Sequence, residues 1–199
     1  MEKNNSTDAS LSLYLLKPFF KGDSLANEFG FVNYYHSNKI NRILHVVALP
    51  FLVIAVLMFA QLIDHLLPKS LPLKFSFVFA VLYCILFFLY DRRVGIAYTV
   101  LFGFLWWPTI TFAGHLSFLH SLVYAVFILL FAQLVQFIGH IGFQLQSPAF
   151  RFFEATVTTP AFLMLHMLNG LTGYKEDFFK EIRKETQQWK EQLDDDKEK

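Results

Sequence analysis

The sequence predicts an all-α fold: a polytopic membrane helical bundle of four spans, with a partly inserted fifth element and a C-terminal amphipathic helix. Three observations predict it. The chain of 199 residues is 55% hydrophobic, with 25 Phe and 8 Tyr. Its charges gather at the two ends and in short interruptions, which leaves too few polar residues elsewhere to cover a water-soluble surface. From Val94 to Phe150 there is no Asp, Glu, Lys or Arg, yet that run holds three histidines and four glutamines. Hydrocarbon offers such groups no partner, so the protein must pair them or use them.

The elements follow in order. Residues 1–24 form a polar, then mixed N-terminal arm in which Pro18 ends the apolar Leu11–Leu16. Leu25, Phe29, Val32 and His36 then recur at helical spacing and share one face. Ser37, Asn38 and Lys39 interrupt, and Asn38 or Asn41 can cap the next helix. Ile43–Ile63 is uncharged and long enough to cross a core of ~30 Å at ~1.5 Å per residue, bent at Pro50. Asp64, Pro68, Lys69 and Pro72 connect to Phe75–Tyr90, the second span, which Asp91, Arg92 and Arg93 close. Val94–Ile110 is the third, with Trp106 and Trp107 reading as an interfacial belt. His115 and His120 flank a short turn before the fourth, Leu122–Phe143.

Ala155–Tyr174 is again uncharged, but Thr158, Thr159, Pro160, His166 and Asn169 make it a weak span. In the tail, Phe178, Phe179, Ile182, Trp189 and Leu193 fall within about 100° on a helical wheel, as in a helix lying in the membrane interface. The organisation expected is therefore an arm (1–24), a membrane-embedded domain (25–174) and an amphipathic, charged tail (175–199). Five Lys or Arg precede His45 and seven follow Tyr174. Both ends then favour the cytoplasmic side, of the endoplasmic reticulum in a eukaryote or of the inner membrane in a bacterium.

Several function classes drop out. A net charge of +1 offers nothing to nucleic acid. Cys84 is the lone cysteine, which excludes disulfides, zinc ribbons and cysteine-ligated clusters. The first ten residues, with Glu2, Lys3 and Asp8, lack the basic-then-apolar order of a cleaved signal peptide.

The chemistry is expected at the histidines. With four spans, the start of the first and the end of the fourth share one face of the membrane, so His36, His45 and His140 can converge. On an uninterrupted helix His36 and His45 would point about 180° apart; the break at Ser37–Lys39 lets them meet. Gln133, Gln136, His140 and Gln144 fall within about 80° of each other, a polar seam down an apolar helix. Gly139 beside it permits close approach of a neighbouring helix. The bland readings are interfacial histidines and interhelical glutamine bonds; the sharper one is a metal site, which imidazole would fill with Fe, Zn or Cu. His115 and His120 belong at the opposite face, and His65 in a solvated loop.

The residues from Phe31 to His45, with Tyr35, His36, Asn38, Asn41 and His45, resemble the Tyr-His-x-Asn-x-x-Asn-x-x-x-His signature of the membrane 2-hydroxy fatty acid dioxygenases. Gln136 to His140, followed by Ser147-Pro148-Ala149, is similar to that family's second signature, and Thr159-Pro160-Ala161-Phe162 to a third element. The resemblance implies an Fe(II)-dependent enzyme in a lipid membrane that uses O₂ to shorten a 2-hydroxy fatty acid by one carbon. It implies His36, His45 and His140 as iron ligands, with Asn38 and Asn41 in supporting roles. Gln144 stands where the family commonly has a glutamate, and His166 near the place of another. That makes His166 a candidate compensating ligand and Gln144, like Gln136, a supporting residue. Lys39 and Arg42 are placed to attract the substrate carboxylate. The alternative is a non-catalytic lipid-binding or scaffolding protein with a degenerate metal site, which Gln144 favours. Bis-histidine haem ligation and a di-iron desaturase centre fit less well, the latter for want of clustered histidine pairs.

Overall fold

The computed structural model describes residues 14–68, 70–149 and 151–195. The start of the expected arm, Lys69, Phe150 and the end of the expected tail lie outside them. A 3-10 turn at Lys17–Phe19 leads into α1 (Leu25–Tyr35), α2 (Lys39–Leu66), α3 (Phe75–Tyr90), α4 (Arg92–Gly114) and α5 (Phe118–Ile138). α5 continues into a π turn, Gly139–Gln144, and a second π turn, Glu154–Thr158, opens α6 (Thr159–Thr172). α7 (Glu176–Asp195) ends the order, and no strand occurs among the described residues.

Side-chain caps set the starts of these helices, because the first amides of a helix have no partner within it. Ser24 accepts from Asn27 N at 3.1 Å, and Asn38 from Ile40 N at 2.8 Å and Asn41 N at 3.3 Å. The buried Asp64, near the end of α2, caps α3 by accepting from Phe75 N and Ser76 N. Asp91 caps α4 and also accepts from Tyr174 Oη at 3.0 Å and Lys175 Nζ at 2.7 Å. One carboxylate thereby ties the α3–α4 corner to the α6–α7 corner. Gly173 ends α6 with φ +68°, a left-handed cap that costs glycine little.

α2 and α5 lie antiparallel, as three contacts along their length show: His45 with His140, Phe51 with Phe131, and His65 with Phe118. α3 and α4 are likewise antiparallel, with Phe87 stacked on Tyr98 at 3.6 Å and Phe77 against Trp106 at 5.6 Å. α6 is held beneath them by hydroxyls: Tyr98 Oη donates to Pro160 O, Tyr90 Oη pairs with Thr158 Oγ1, and Tyr83 Oη donates to Thr156 O.

Among the described residues, three helices, α2, α4 and α5 with its π turn, are long and apolar enough to cross a membrane. They carry large apolar side chains on their outer faces, among them Val100, Phe104 and Trp107 on α4 and Val123, Phe127 and Leu130 on α5. Water would penalise that belt and lipid tails would not. The expected second span is the 16-residue α3, which at ~1.5 Å per residue is ~24 Å long, short of an upright crossing. The expected fifth element becomes the 14-residue α6, whose Pro160, Ala161, Phe162 and Leu163 are buried in the protein core.

The tail corrects an expectation. α7 is amphipathic, but its apolar face meets protein and not a membrane surface. Phe179 and Ile182 are buried, Phe31 packs edge-on to Trp189, and Trp189 Nε1 donates to Asn27 O at 3.0 Å. A β-carbon at Gly30 would lie 2.6 Å from Glu185 Cβ, so α1 and α7 touch backbone to backbone there. Amphipathicity says that a helix has an apolar face; the partner was supplied by α1, whose own apolar residues need cover.

Candidate metal centre

Three helix ends bring the imidazoles together. His36 is the C-terminal cap of α1, His45 lies two turns into α2, and His140 sits in the π turn that extends α5. The break at Ser37 and Asn38 reverses the chain, so α1 and α2 meet at an angle that faces His36 toward His45. Ring centroids are 4.6 Å apart for His36 and His45, and 4.9 Å for each of these with His140. Their candidate ligand nitrogens all lie within 4.8 Å of one another, and all three residues are buried.

Local bonding orients two of the rings. His36 Nδ1 is 2.8 Å from Val32 O and His45 Nδ1 is 3.0 Å from Asn41 O. A carbonyl oxygen can only accept, so each Nδ1 carries the proton and each Nε2 keeps its lone pair. His140 Nδ1 is buried without a hydrogen-bond partner among the described residues. Burial, together with the other two imidazoles, holds His36 well below its ordinary pKa. Three neutral, inward-facing imidazoles at one point form a donor set that fits a divalent cation, and a buried cation there would in turn satisfy their lone pairs. Iron is compatible with this set; so are zinc and copper.

The loops around the cluster are held by the residues expected to support it. Asn38 N donates to Gln144 Oε1 at 2.8 Å, and Asn38 Nδ2 to Phe143 O at 2.9 Å. Asn41 Nδ2 donates to Tyr35 O, and Gln144 Nε2 to Tyr34 O at 3.2 Å and Ser37 Oγ at 2.7 Å. Gln144 is thus a clamp between the α1–α2 loop and the end of α5. A β-carbon on Gly139 would lie 2.4 Å from Asn41 Oδ1, so glycine is what lets α5 close on α2 beside His140.

Other expected residues lie elsewhere. Arg42 Nη1 donates to His36 O at 2.8 Å and Ser37 O at 2.9 Å, stapling the loop, and Lys39 is exposed. Neither lines the cavity described below, because the turn that joins the histidines directs Lys39 outward and Arg42 onto its own carbonyls. His166 stacks near Phe162 and Phe179 in the α6–α7 packing and is not a member of the cluster. His65 lies beside Phe118 at the far end of the bundle, where His120 Nδ1 contacts Ser117 Oγ.

A cavity of about 740 Å³ opens from the three histidines. Leu130, Leu134 and Phe137 form one apolar wall along α5, and Gln133 and Gln136 line it too. The other side is built from the α5–α6 connection and includes Arg151, Glu154 and Thr159. Glu154 and Arg151 were not read as site residues from the sequence, yet a signal existed. Glu154 is the one acid between Asp91 and Glu176, and Arg151 the one base between Arg93 and Lys175. A solitary acid and a solitary base in so long an uncharged stretch are costly to keep unless they are used.

Glu154 has an unusual environment. It is 5% exposed, its Oε2 has no hydrogen-bond partner among the described residues, and burial and the nearby Glu28 push its pKa up to about 7. Glu28 is fully buried and accepts from Lys21 N at 2.6 Å and Gly22 N at 3.1 Å. An acid with a raised folded pKa binds its proton more tightly when folded. The stability it contributes is complete below the unfolded pKa and is lost as pH rises toward about 7. Comparing the wild type with Glu154→Gln should therefore show the wild type losing on the order of 1–3 kcal/mol relative to the variant between pH 4.5 and 7.5. Thermal melts in detergent across that range check it; parallel curves would contradict it.

The sequence model of a family described as "2-hydroxy-palmitic acid dioxygenase Mpo1-like" matches residues 23–171, a stretch that contains all three clustered histidines. No curated protein and no solved structure matches the chain.

Proposed function

The chain belongs to the Mpo1-like family, and from that premise we propose that it is an Fe(II)-dependent dioxygenase, cleaving C1–C2 of 2-hydroxy fatty acids to give the acid one carbon shorter. The observation that carries this reading is the convergence of His36, His45 and His140 at the head of a cavity walled by apolar side chains of a membrane-type helix.

His36, His45 and His140 would hold the metal through neutral nitrogens. Fe(II) bound there would supply positions for O₂ and for chelation by the substrate's 2-hydroxyl and carboxylate. Because the ligands carry no charge, the site stays cationic and favours an anionic head. Val32 O and Asn41 O fix two of the rings, and the Gln144 clamp fixes the loops that carry them. Leu130, Leu134 and Phe137 take the first methylenes of the tail, whose remainder can run along the outer face of α5 in lipid. The overall change balances without an outside reductant: R–CH(OH)–COO⁻ and O₂ give R–COO⁻, CO₂ and H₂O, the substrate supplying all four electrons.

Four passes through the membrane are supported by the pairing of helices. The start of α2 and the end of α5 meet at His45 and His140, and α2 and α5 are antiparallel. With α4 crossing, that arrangement needs α3 to return the chain through the full thickness. A short, wholly apolar helix can do so where the bilayer thins locally. Both termini would then share the cytoplasmic side.

The test is a product assay. Protein purified in detergent, loaded anaerobically with Fe(II) and given 2-hydroxypalmitate and air, should yield pentadecanoate by mass spectrometry, and a chelator should abolish it. Stoichiometric bound iron with no shortened acid would overturn the reaction assigned. The non-catalytic alternative rested on Gln144, and the clamp explains that residue without it.

A further inference from the structure

The cavity has a cation on its wall, and it is neither of the two expected from the sequence. Arg151 lines the cavity together with Leu130, Leu134 and Phe137 of α5. Its guanidinium is hydrogen-bonded at one end. Nη2 donates to Phe19 O at 3.2 Å, and Nη1 is buried 3.9 Å from Glu154 Oε2, too far for a hydrogen bond. The side chain nevertheless keeps 36% of its surface. The other nearby cations are engaged elsewhere: Arg42 staples the loop at Ser37, and Lys21 Nζ lies over the rings of Phe31 and Trp189.

We propose that Arg151 is the carboxylate anchor of this cavity, its guanidinium pairing with the acid head of the lipid so that C2 faces the three histidines. The inference rests on the dioxygenase reading for the identity of the acid, and on the cavity alone for the anchor. Guanidinium and carboxylate match in shape and charge, and their bond is stronger in a part-apolar cavity than in bulk water. The neighbouring Glu154 would normally compete for that cation. Held largely protonated below neutral pH by its burial and by Glu28, it leaves the guanidinium charge for the ligand. The hydrogen bond to Phe19 O leaves less rotamer freedom to be lost on binding.

The experiment compares palmitate with methyl palmitate, which differ in the head's charge and lack the 2-hydroxyl. Binding is measured on the full chain as purified in detergent, under argon, so that no turnover intervenes. The wild type should prefer the acid over the ester about tenfold or more, the size expected of one charge-assisted bond. Arg151→Gln should remove most of that preference while leaving ester binding unchanged. If Arg151→Gln does not fold, Arg151→Lys, which keeps the charge but not the planar fork, should lower the ratio in part. An unchanged ratio in whichever variant folds overturns the anchor. Shortened product from the wild type together with an unchanged ratio would sink the anchor and spare the reaction. A ratio that depends on Arg151 with no shortened product would sink the reaction and support the anchor.

Discussion

Replacing His140 by alanine is expected to abolish metal binding and turnover while the helices persist. The cluster has three imidazoles among the described residues, each at a different helix end. Removing one leaves two donors, and the closest centroid pair, His36 with His45 at 4.6 Å, loses the ring that closes the site from α5. Loss of a mere supporting contact around a metal typically costs ~10–100-fold in affinity or activity, so loss of a ligand should exceed that. The fold should survive, because α2 and α5 remain joined by Phe51 against Phe131 and by the Gln144 clamp. Iron per protein, activity and far-UV circular dichroism measured together separate these effects. His166→Ala supplies the contrast: with its ring between Phe162 and Phe179, it should retain full iron and at most lose some stability. Stoichiometric iron in His140→Ala, or iron lost in His166→Ala, would each show that the cluster is misassigned.

Why the sequence revealed one half of this site and hid the other is a matter of physical contrast. His140 stood out because a polar seam on an apolar helix has few explanations in lipid, and its position at the end of α5 followed from the antiparallel passes. The pairing of His36 with His45 followed from Ser37 and Asn38, where helix capping is a local property of the chain. Arg151 and Glu154 sit in a connection whose path depends on packing, where no periodicity reports which side chains turn inward. Lys39 and Arg42 were placed by nearness in sequence to His36 and His45. The same turn that joins the histidines directs Arg42 onto the carbonyls of His36 and Ser37. The membrane-interface reading of α7 failed for a related reason: an amphipathic pattern encodes burial but not what does the burying.

Gln144→Glu is expected to destabilise the protein and weaken the metal site, although it restores the residue type common in the family. Gln144 uses both ends of its amide. Oε1 accepts from Asn38 N at 2.8 Å and Asn41 Nδ2 at 3.4 Å, and Nε2 donates to Tyr34 O at 3.2 Å and Ser37 Oγ at 2.7 Å. A carboxylate accepts only. It would keep the first two bonds, lose the two donations, and set an anionic oxygen against the Tyr34 carbonyl. The lost bond to Tyr34 O is partly buried and costs about 1–3 kcal/mol, the exposed one to Ser37 Oγ costs less, and the chain can lower the sum by protonating the new acid. The variant should therefore melt lower in detergent, with the deficit growing as pH rises through the range in which the new carboxyl ionises. Iron should bind more weakly, since the α1–α2 loop that sets His36 against His45 is the part released. Ser37→Ala removes one of the same acceptors and should reproduce the loss in smaller measure. If Gln144→Glu instead bound iron more tightly, residue 144 would have to reach the metal. The clamp would then be only one of two positions open to it, and the three-histidine set would be incomplete.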